Sequence, residues 1–490
     1  MTRIWVAFLS VLLFLCSAVG VNAQSSVRLF TVTEASSPFA ERSSIAAVRE
    51  FTISINTGQA LIAEALELPM ADGKVYRAVK SESEVRGVDD VTWRGKINDM
   101  GFEGDVILTF RKGHVAGLIY TPEAVYEIVP RGGHHILVEL DQSLFPECGG
   151  AIETDDAATQ NPSGGQSLAT FTDSGDRIDV LVVYTTATKN FLGGDAQAQT
   201  LSQNAIDATN TAYINSRVRQ RVRMVDAKEW AYTETTSAST DLSNLRNDVT
   251  VQGLRNSANA DLVAMVGEIA GACGVGYLMG SNPAGNPSAG YTVTARSCAV
   301  GNLSFAHELG HNMGSQHNPE NGSGATYPYG YGHYVNGVFR TVMSYSNPCA
   351  NGCTRRPYFS NPGITYQDFP TGIDNTRDNV RAINNTADAI ANYRYSGTSI
   401  TLVNFANGGF LPRGIARPVT WKANNLGGNV RIEISRNEGL TWTTAVASTP
   451  NDGNEPVTVW GGASRRAWLR VVSIDSPTVS DTSTGSVYIR

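Results

Sequence analysis

The stretch that most constrains how this chain folds is His307–His317, which reads HELGHNMGSQH. The whole chain of 490 residues has only 7 histidines, and three of them lie in this short run. The residues Leu303–Met313 are compatible with a helix, for which Asn302 or Ser304 is available as the N-cap. We therefore predict one helix that carries two of the histidines, followed by a turn that carries the third.

The spacing of the three histidines predicts a metal site. On a helix, His307 and His311 are four residues apart and project from one face. Gly314 is expected to end the helix, because glycine adopts the left-handed conformation without steric cost, and the reversal brings His317 back. Neutral imidazoles are common zinc ligands, and Glu308 is placed to reach a water on such an ion. The alternative is a helix whose histidines are merely solvated or hydrogen-bonded, but the added glycine and third histidine favour the metal site.

The pattern HExxHxxGxxH resembles the zinc signature of the metzincin metallopeptidases. The resemblance implies a methionine turn below the metal, for which Met343 in TVMSYSN is the candidate. It also implies that Tyr345 approaches the zinc and stabilises the transition state, as in astacin-like and serralysin-like members. The segments ACGVGYL and PYFSNP are similar to the reprolysin (adamalysin-like) branch, and the bacterial group of that branch is the best match. The resemblance covers about 176–395.

This resemblance implies a zinc-dependent endopeptidase with one catalytic ion. Peptide bonds would be hydrolysed by a zinc-activated water with Glu308 as the general base. Gly274–Leu278 resembles the metzincin edge strand, to which an extended protein or peptide substrate adds by β-pairing. A secreted adhesin or carbohydrate-binding protein with a vestigial metallopeptidase domain remains the alternative, although an intact Glu308 argues against it.

The first residues predict export. Arg3 precedes an apolar run over Ile4–Val19, and the small residues ending at Ala23 form a cleavage site. An uncleaved anchor helix is the alternative, but the run is short for a bilayer. No other stretch is long and apolar enough to span a membrane, so we predict a secreted, extracellular protein.

The composition limits the classes of partner that we expect for this chain. Charged residues make up 17% of the chain, the formal net charge is −7 and there is no run of lysine or arginine, so nucleic acid is not an expected partner. No Gly-Gly-x-Gly-x-Asp repeats occur, so a calcium β-roll is not expected, and the sequence leaves open any other Ca²⁺ site. Peptide-bond specificity and oligomeric state have no readable signature.

The pattern of apolar runs and turns divides the chain into four segments. We predict a signal peptide over 1–23, a β-rich propeptide with its linker over 24–175, a zinc metallopeptidase domain over 176–396 and an all-β accessory sandwich over 397–490. The catalytic segment alternates helices with strands, which indicates an α/β (α+β) metzincin-like fold.

Several elements are predicted within these segments. The propeptide contains strands over 105–110, 115–120, 124–129 and 135–140, and the stretch 149–175 is an exposed linker. Asp241–Arg255 is predicted to be a single helix. About seven short strands follow residue 397.

Five cysteines remain after the predicted signal peptide, which is an odd number. Cys349 and Cys353 are close enough to bridge a tight loop, and Cys273 and Cys298 bracket the region that leads to the histidine helix. This is one of three pairings of four cysteines, and it leaves Cys148 alone just before the linker. A thiolate is a good zinc ligand, so Cys148 could take the fourth zinc position and keep a zymogen latent, which resembles the cysteine switch of matrix metalloproteinases and adamalysin-like enzymes. A free or intermolecular thiol is the alternative.

Overall fold

The structure is a computed structural model that describes residues 26–70, 73–153, 172–282, 286–350 and 352–490. The predicted signal peptide and most of the predicted linker lie outside these residues. Within them, no helix has the length and apolar character needed to cross a membrane.

The N-terminal segment forms one ten-stranded sheet in the order β1-β4-β5-β6-β7-β8-β9-β10-β3-β2. All neighbouring strands are antiparallel except β1 and β4. The four strands predicted in this segment correspond to β7–β10. The elements are β1 Val27–Arg28, β2 Phe30–Glu34, β3 Ala47–Ile55, α1 Thr57–Ala60, β4 Ala65–Pro69, β5 Val75–Gly87, β6 Asp90–Asp99, β7 Phe102–Arg111, β8 His114–Tyr120, β9 Val125–Arg131 and β10 His134–Leu140.

The central segment is mixed α/β, with a six-stranded sheet in the order β11-β15-β16-β14-β12-β13. Strand β12 is buried along its whole length, as its nearly continuous apolar run predicts. The elements are β11 Ala151–Glu153, β12 Arg177–Thr185, α2 Thr186–Leu192, α3 Asp195–Ser216, β13 Arg221–Trp230, α4 Ala238–Asn247, α5 Val249–Ser257, β14 Leu262–Gly267, β15 Gly274–Leu278, β16 Tyr291–Ala295, α6 Arg296–Ala299, α7 Ser304–Asn312, β17 Tyr334–Val335, β18 Phe339–Arg340, β19 Thr354–Arg355, β20 Thr365–Tyr366, β21 Phe369–Pro370 and α8 Asn379–Ile390.

One edge of the central sheet is formed by residues from the stretch predicted to be a linker. Strand β11 pairs in parallel with β15, with Ala151 opposite Gly276 and Glu153 opposite Leu278. The pairing begins just before β11, where the Gly149 N–H donates to the Gly274 carbonyl at 2.7 Å. Three residues are too few to show an alternating pattern, so this strand has no signature in the sequence.

The helix predicted over Asp241–Arg255 is wrong as a single element, because it is broken into α4 and α5 at Asp248. The Asp248 carboxylate accepts hydrogen bonds from the backbone N–H groups of Thr250 at 2.8 Å and Val251 at 2.9 Å. This residue is in an extended conformation and acts as the N-cap of α5. Side-chain capping therefore outweighs the continuous helical spacing of the apolar residues.

The N-terminal sheet packs on helix α3 of the central segment through a polar contact. Asp207 of α3 is fully buried, and its carboxylate accepts hydrogen bonds from the hydroxyls of Thr92 and Thr109, both at 2.6 Å. The Arg86 guanidinium lies 3.3 Å from the same carboxylate and supplies the opposite charge. A buried carboxylate needs such partners to remain charged, so these contacts hold the two segments in one arrangement.

The C-terminal segment contains a three-stranded sheet in the order β22-β24-β27 and a larger sheet in the order β23-β30-β28-β25-β26, with β29 paired to β28. Apolar side chains from both sheets share one hydrophobic core. The segment contains nine strands, two more than the approximate number predicted. The elements are β22 Ser399–Leu402, β23 Gly409–Leu411, β24 Arg417–Asn424, β25 Asn429–Ser435, β26 Thr443–Pro450, β27 Asn454–Val457, β28 Ser464–Ser473, β29 Ser480–Thr482 and β30 Val487–Ile489.

The C-terminal segment contacts the central one through a few polar residues. The Asp176 carboxylate accepts hydrogen bonds from the hydroxyls of Ser480 at 3.1 Å and Thr482 at 2.7 Å. Arg217 forms an ion pair with Glu438 at 2.7 Å. These contacts are far along the chain from the histidine stretch.

In the enzyme cut at the linker, deleting Gly397–Arg490 is expected to leave cleavage of short peptides intact and to change binding to large or insoluble substrates. The reason is that every candidate site residue lies upstream and the connecting contacts are polar and few. The measurement is kcat/KM on a short fluorogenic peptide together with pull-down on an insoluble protein. A truncated chain that unfolds cooperatively but does not cleave the peptide would show that the boundary at 396 is wrong.

Candidate metal centre

The helix that carries the histidines begins differently from the prediction. Residue Leu303, rather than Asn302 or Ser304, occupies the N-cap, with a positive φ of 54° and no side-chain cap. Its side chain is fully buried, so packing holds the residue in this left-handed conformation. The Asn302 amide is occupied elsewhere, since it donates to the Ser304 hydroxyl at 3.1 Å.

The end of this helix agrees with the prediction. Gly314 has a φ of 85°, in the left-handed region. The Ser315 N–H donates back to the Gly310 carbonyl at 2.9 Å, which closes the last turn. A Cβ atom at Gly314 would lie 2.8 Å from the Thr326 hydroxyl oxygen, so both the conformation and the space require glycine. The reversal carries the chain to His317.

The three histidines converge through their Nε2 atoms. The Nε2 atom of His311 lies 3.2 Å from that of His307 and 3.1 Å from that of His317. The Nδ1 atoms of His307 and His311 lie 2.8 Å and 3.0 Å from the carbonyl oxygens of Val342 and Ser315. A carbonyl oxygen only accepts, so each Nδ1 carries the proton and each Nε2 presents a lone pair.

Burial keeps these imidazoles neutral. It lowers the pKa of His307 and of His311 well below the ordinary value, and it lowers the pKa of His317 to about 4. Lone pairs that face one another without a proton between them repel, so a cation fits the space that they enclose. A tetrahedral N/S site of this kind is the preferred environment of zinc, so the donor set fits that metal.

Cys148 lies against the three histidines. Its sulfur and one nitrogen from each imidazole all lie within 4.8 Å of one another. The Cys148 thiol forms no disulfide, and its Sγ is 4.0 Å from Nε2 of His311. Burial, followed by the charge of Glu308, raises the pKa of this thiol. A cation among the four groups would act in the opposite direction and favour the thiolate.

Glu308 is placed beside this cluster. Its Oε2 atom is 3.7 Å from the Cys148 sulfur, and its buried Oε1 atom has no hydrogen-bond partner. Burial raises the pKa of the Glu308 carboxyl to about 8. A Cβ atom at Gly274 would lie 2.5 Å from Oε1, so the edge strand β15 approaches the carboxylate as closely as only glycine permits.

Met343 and Tyr345 also contact the histidine cluster. A Cβ atom at Gly310 would lie 2.5 Å from the buried sulfur of Met343, so the methionine packs directly against the histidine helix. The ring of Tyr345 is centred 4.1 Å from the ring of His317. The Tyr345 hydroxyl donates a hydrogen bond to the Cys148 carbonyl at 2.9 Å.

The remaining cysteines form two disulfides in the pairing that the sequence favours, Cys273–Cys298 and Cys349–Cys353. His333 lies outside the metal-site cluster, and its Nδ1 is 3.5 Å from the Arg377 guanidinium.

Sequence reasoning missed two residues at this site. The Glu147 carboxylate accepts a hydrogen bond from the Ser346 N–H at 2.7 Å and a second from the Ser346 hydroxyl. The Glu147 carbonyl accepts from the Cys273 N–H at 3.2 Å. The only signal in the sequence is that Glu147 immediately precedes the unpaired cysteine.

Comparisons with known proteins agree with this geometry. The profile of metallo-peptidase family M12 (Reprolysin_5) matches residues 174–360. A peptidyl-Asp metalloendopeptidase of Stenotrophomonas maltophilia (strain R551-3) is 30% identical over 355 residues, which are 66% of this chain and 81% of that protein. The protein of the same name from Xanthomonas campestris pv. campestris is 30% identical over 362 residues, 70% of this chain and 85% of its own. One from Pseudomonas aeruginosa is 35% identical over 286 residues, 51% of this chain and 45% of its own.

Three convergent imidazoles beside a buried carboxylate, in a mixed α/β fold with these relatives, define a metalloendopeptidase. More narrowly, the chain belongs to metallo-peptidase family M12 and is reprolysin-like. Zinc is the metal that this family implies, and the donor set fits it.

Replacing Tyr345 with phenylalanine should lower kcat more than it raises KM in the enzyme cut at the linker. The reason is the predicted role of Tyr345: once the cut segment has left, its hydroxyl would donate to the oxygen that becomes negative in the transition state. Loss of one fully engaged donor costs about 10²–10³ in kcat, and less if the side chain moves. Steady-state kinetics on one peptide measure both constants, and equal kcat values in the two proteins would mean that Tyr345 is only structural.

Proposed function

We propose that this chain is a secreted zinc endopeptidase that is made as a latent zymogen. The observation that carries this proposal is the arrangement of three neutral imidazole Nε2 atoms, from His307, His311 and His317, next to the buried carboxylate of Glu308. In this proposal the three histidines are the protein ligands of one catalytic zinc ion. The relatives are named for the more general activity, that of a metalloendopeptidase.

The chemistry follows from the groups present. When bound, zinc supplies Lewis acidity that lowers the pKa of water toward 7 and polarises a carbonyl. Glu308, whose Oε2 atom faces the position of the Cys148 sulfur, takes the proton of the attacking water and later gives it to the leaving amine. Tyr345 donates to the developing oxyanion, and Met343 supports the histidine helix from below. An intact, buried glutamate in this place argues against a vestigial site.

Latency is supported by what the N-terminal segment does at the site. Cys148 fills the side of the cluster that the histidines leave open, and β11 pairs with the edge strand β15. The Tyr345 hydroxyl is held by the Cys148 carbonyl. A bound substrate would need the open side of the histidine cluster, the edge of β15 and the Tyr345 hydroxyl, and the N-terminal segment occupies all three. Residues 24–175 are therefore proposed as the propeptide, and a cut in its linker releases the enzyme.

The other segments complete the proposal. The predicted signal peptide over 1–23 directs export, and two disulfides suit an oxidising compartment. Residues 176–396 form the catalytic domain and 397–490 a β-sandwich accessory domain. The relatives are named peptidyl-Asp metalloendopeptidases, and we carry a preference for acidic residues over to this chain as part of the proposal.

Glu308→Ala should retain zinc and lose peptide hydrolysis, because the change removes the general base and none of the ligands. We expect kcat to fall by about 10³-fold or more, the upper part of the range for general-base catalysis. Metal content by atomic absorption and cleavage of casein are the two measurements. Glu229→Ala, which removes a carboxylate paired with Lys189 away from the site, is the matched control. Activity within tenfold of the wild type would rule out the assigned role of Glu308.

Cys148→Ser should make the full-length protein partly active before any cleavage, or cause premature maturation, because the metal side opens while Glu147 and β11 still cover part of the groove. The hydroxyl is a much weaker zinc ligand than a thiolate, so the substituted segment no longer blocks the metal. The measurement is peptidase activity of intact protein, with the chain length checked by mass spectrometry, and X-ray absorption should detect a Zn–S contact only in the wild type. A full-length wild type as active as its processed form would eliminate the switch.

A further inference from the structure

The Glu147 side chain belongs to the run of chain that follows β15 and stands one residue before Cys148. Its backbone pairs with the N-terminal end of the edge-strand region through the Cys273 N–H, and the next residue, Cys148, faces the metal-site histidines. The same run continues as β11 along β15, the strand on which a peptide would pair. The run 147–153 therefore follows the proposed substrate groove, with its acidic residue one position from the metal site.

The groove provides two donors for this carboxylate. Both the backbone N–H and the hydroxyl of Ser346 donate to the same oxygen, Oε1. Ser346 is three residues after Met343, so the donors belong to the wall that follows the methionine turn. Among substitutions only proline would remove the backbone N–H, so one of the two donors belongs to the fold rather than to the side chain.

Two buried arginines lie below this wall. The guanidinium groups of Arg340 and Arg355 both donate to the Ser344 carbonyl, at 2.8 Å and 3.1 Å, and each side chain is 2% exposed. Across the part of the chain that the structure describes, no carboxylate forms an ion pair with either of them. The buried Nε atom of Arg355 also has no hydrogen-bond partner.

Two buried positive charges without a paired carboxylate are costly unless something negative lies nearby. Burial lowers the pKa of Arg355, and Glu147 is the first among the charges that act against this, ahead of Cys148 and Glu308. Burial and the charge of Arg355 lower the pKa of Arg340, and Glu147 again opposes them. Glu147 is thus a carboxylate whose charge offsets the two buried guanidiniums.

We propose that Ser346, with Arg340 and Arg355 behind it, forms a subsite for an acidic side chain of the substrate, and that Glu147 fills this subsite in the latent chain. This inference rests on the proposed function, since it assigns the selectivity of the same groove. The N-terminal segment then inhibits in two ways. Cys148 binds the metal, and Glu147 occupies the subsite for the acidic side chain of the substrate. Ser346, Arg340 and Arg355 are specificity-determining residues and take no part in bond cleavage.

The first test uses wild-type enzyme cut at the linker and short peptides that differ only by aspartate, glutamate, asparagine or glutamine at one position beside the cleaved bond. A charge-assisted hydrogen bond in a buried site predicts kcat/KM at least about tenfold higher for the best acid than for its amide. Mass spectrometry of the products gives the side of the bond on which the acid is preferred. Equal kcat/KM values for the acidic peptides and their amides would rule out the subsite while leaving the endopeptidase assignment intact. Failure to cleave any peptide would instead defeat the proposed function.

The second test needs no enzyme variant. A peptide with the sequence FPESGG, which is 145–150 with serine in place of Cys148, should inhibit the processed enzyme, and FPQSGG should inhibit it about tenfold less. Serine removes the thiolate, so the comparison isolates the carboxylate. Equal inhibition constants would show that Glu147 does not occupy a selective subsite.

A third test uses enzyme variants to identify the residues that determine the preference for an acid over its amide. Arg355→Gln should reduce the acid-to-amide ratio of kcat/KM toward one, whereas Arg355→Lys should keep part of it because the charge remains. Cleavage of the amide peptide within each variant reports whether the site has formed, and Ser346→Ala provides a second change if the buried arginine variants do not fold. Arg381→Gln, on the exposed side of α8, is the matched control and should keep the wild-type ratio. An unchanged ratio in folded Arg355→Gln and Ser346→Ala would assign the selectivity to another part of the groove.

Discussion

The convergence of three buried imidazoles on one small space is the constraint on which the rest of this structure depends. The Nε2 atom of His311 lies 3.2 Å from that of His307 and 3.1 Å from that of His317, and carbonyl oxygens hold Nδ1 of His307 and of His311. Burial prevents protonation from relieving this arrangement, so a cation is its natural complement. The left-handed Gly314, the carbonyls of Val342 and Ser315 and the methionine packed against Gly310 all serve to hold the rings in place.

A short run of chain connects this centre to the N-terminal segment. Between Glu147 and Glu153 the backbone follows the edge strand, and each part of the run covers a different element of the proposed site. Because backbone pairing with β15 fixes the register of this run, the Cys148 sulfur and the Glu147 carboxylate reach their positions together. In the functions proposed above, regulation and selectivity are properties of the same groove, a link that the cysteine alone does not reveal.

The sequence predicts those features whose cause is local. Histidine spacing, the helix-ending Gly314 and the apolar run of β12 each have a short-range physical reason, and their positions in the structure agree with it. The features that sequence reasoning missed have causes elsewhere in the molecule. Leu303 is held at the N-cap by burial, and β11 is a strand only because β15 offers it an unpaired edge. Asp248 is an exception, because its capping signal is local but was hidden by a helical spacing of apolar residues that continues through it.

Glu147 illustrates the same limit for function. A glutamate before a cysteine has no chemical meaning until the fold places Ser346 and two buried guanidiniums around it. Those residues lie about two hundred positions away along the chain, so no spacing rule connects them.

The contact between helix α3 and the N-terminal sheet bears on how the N-terminal segment could separate from the proposed site. On its side facing the N-terminal sheet, helix α3 carries Asn204, Asp207 and Thr211, which bond to Thr109, Thr92 and Arg94. The sheet contributes apolar residues to the shared core, among them Leu118, Val129 and Ile136. Polar groups regain hydrogen bonds from water when exposed, whereas apolar ones do not. Separation would therefore expose, on both faces, polar groups that water can hydrogen-bond again and apolar side chains of the shared core that it cannot.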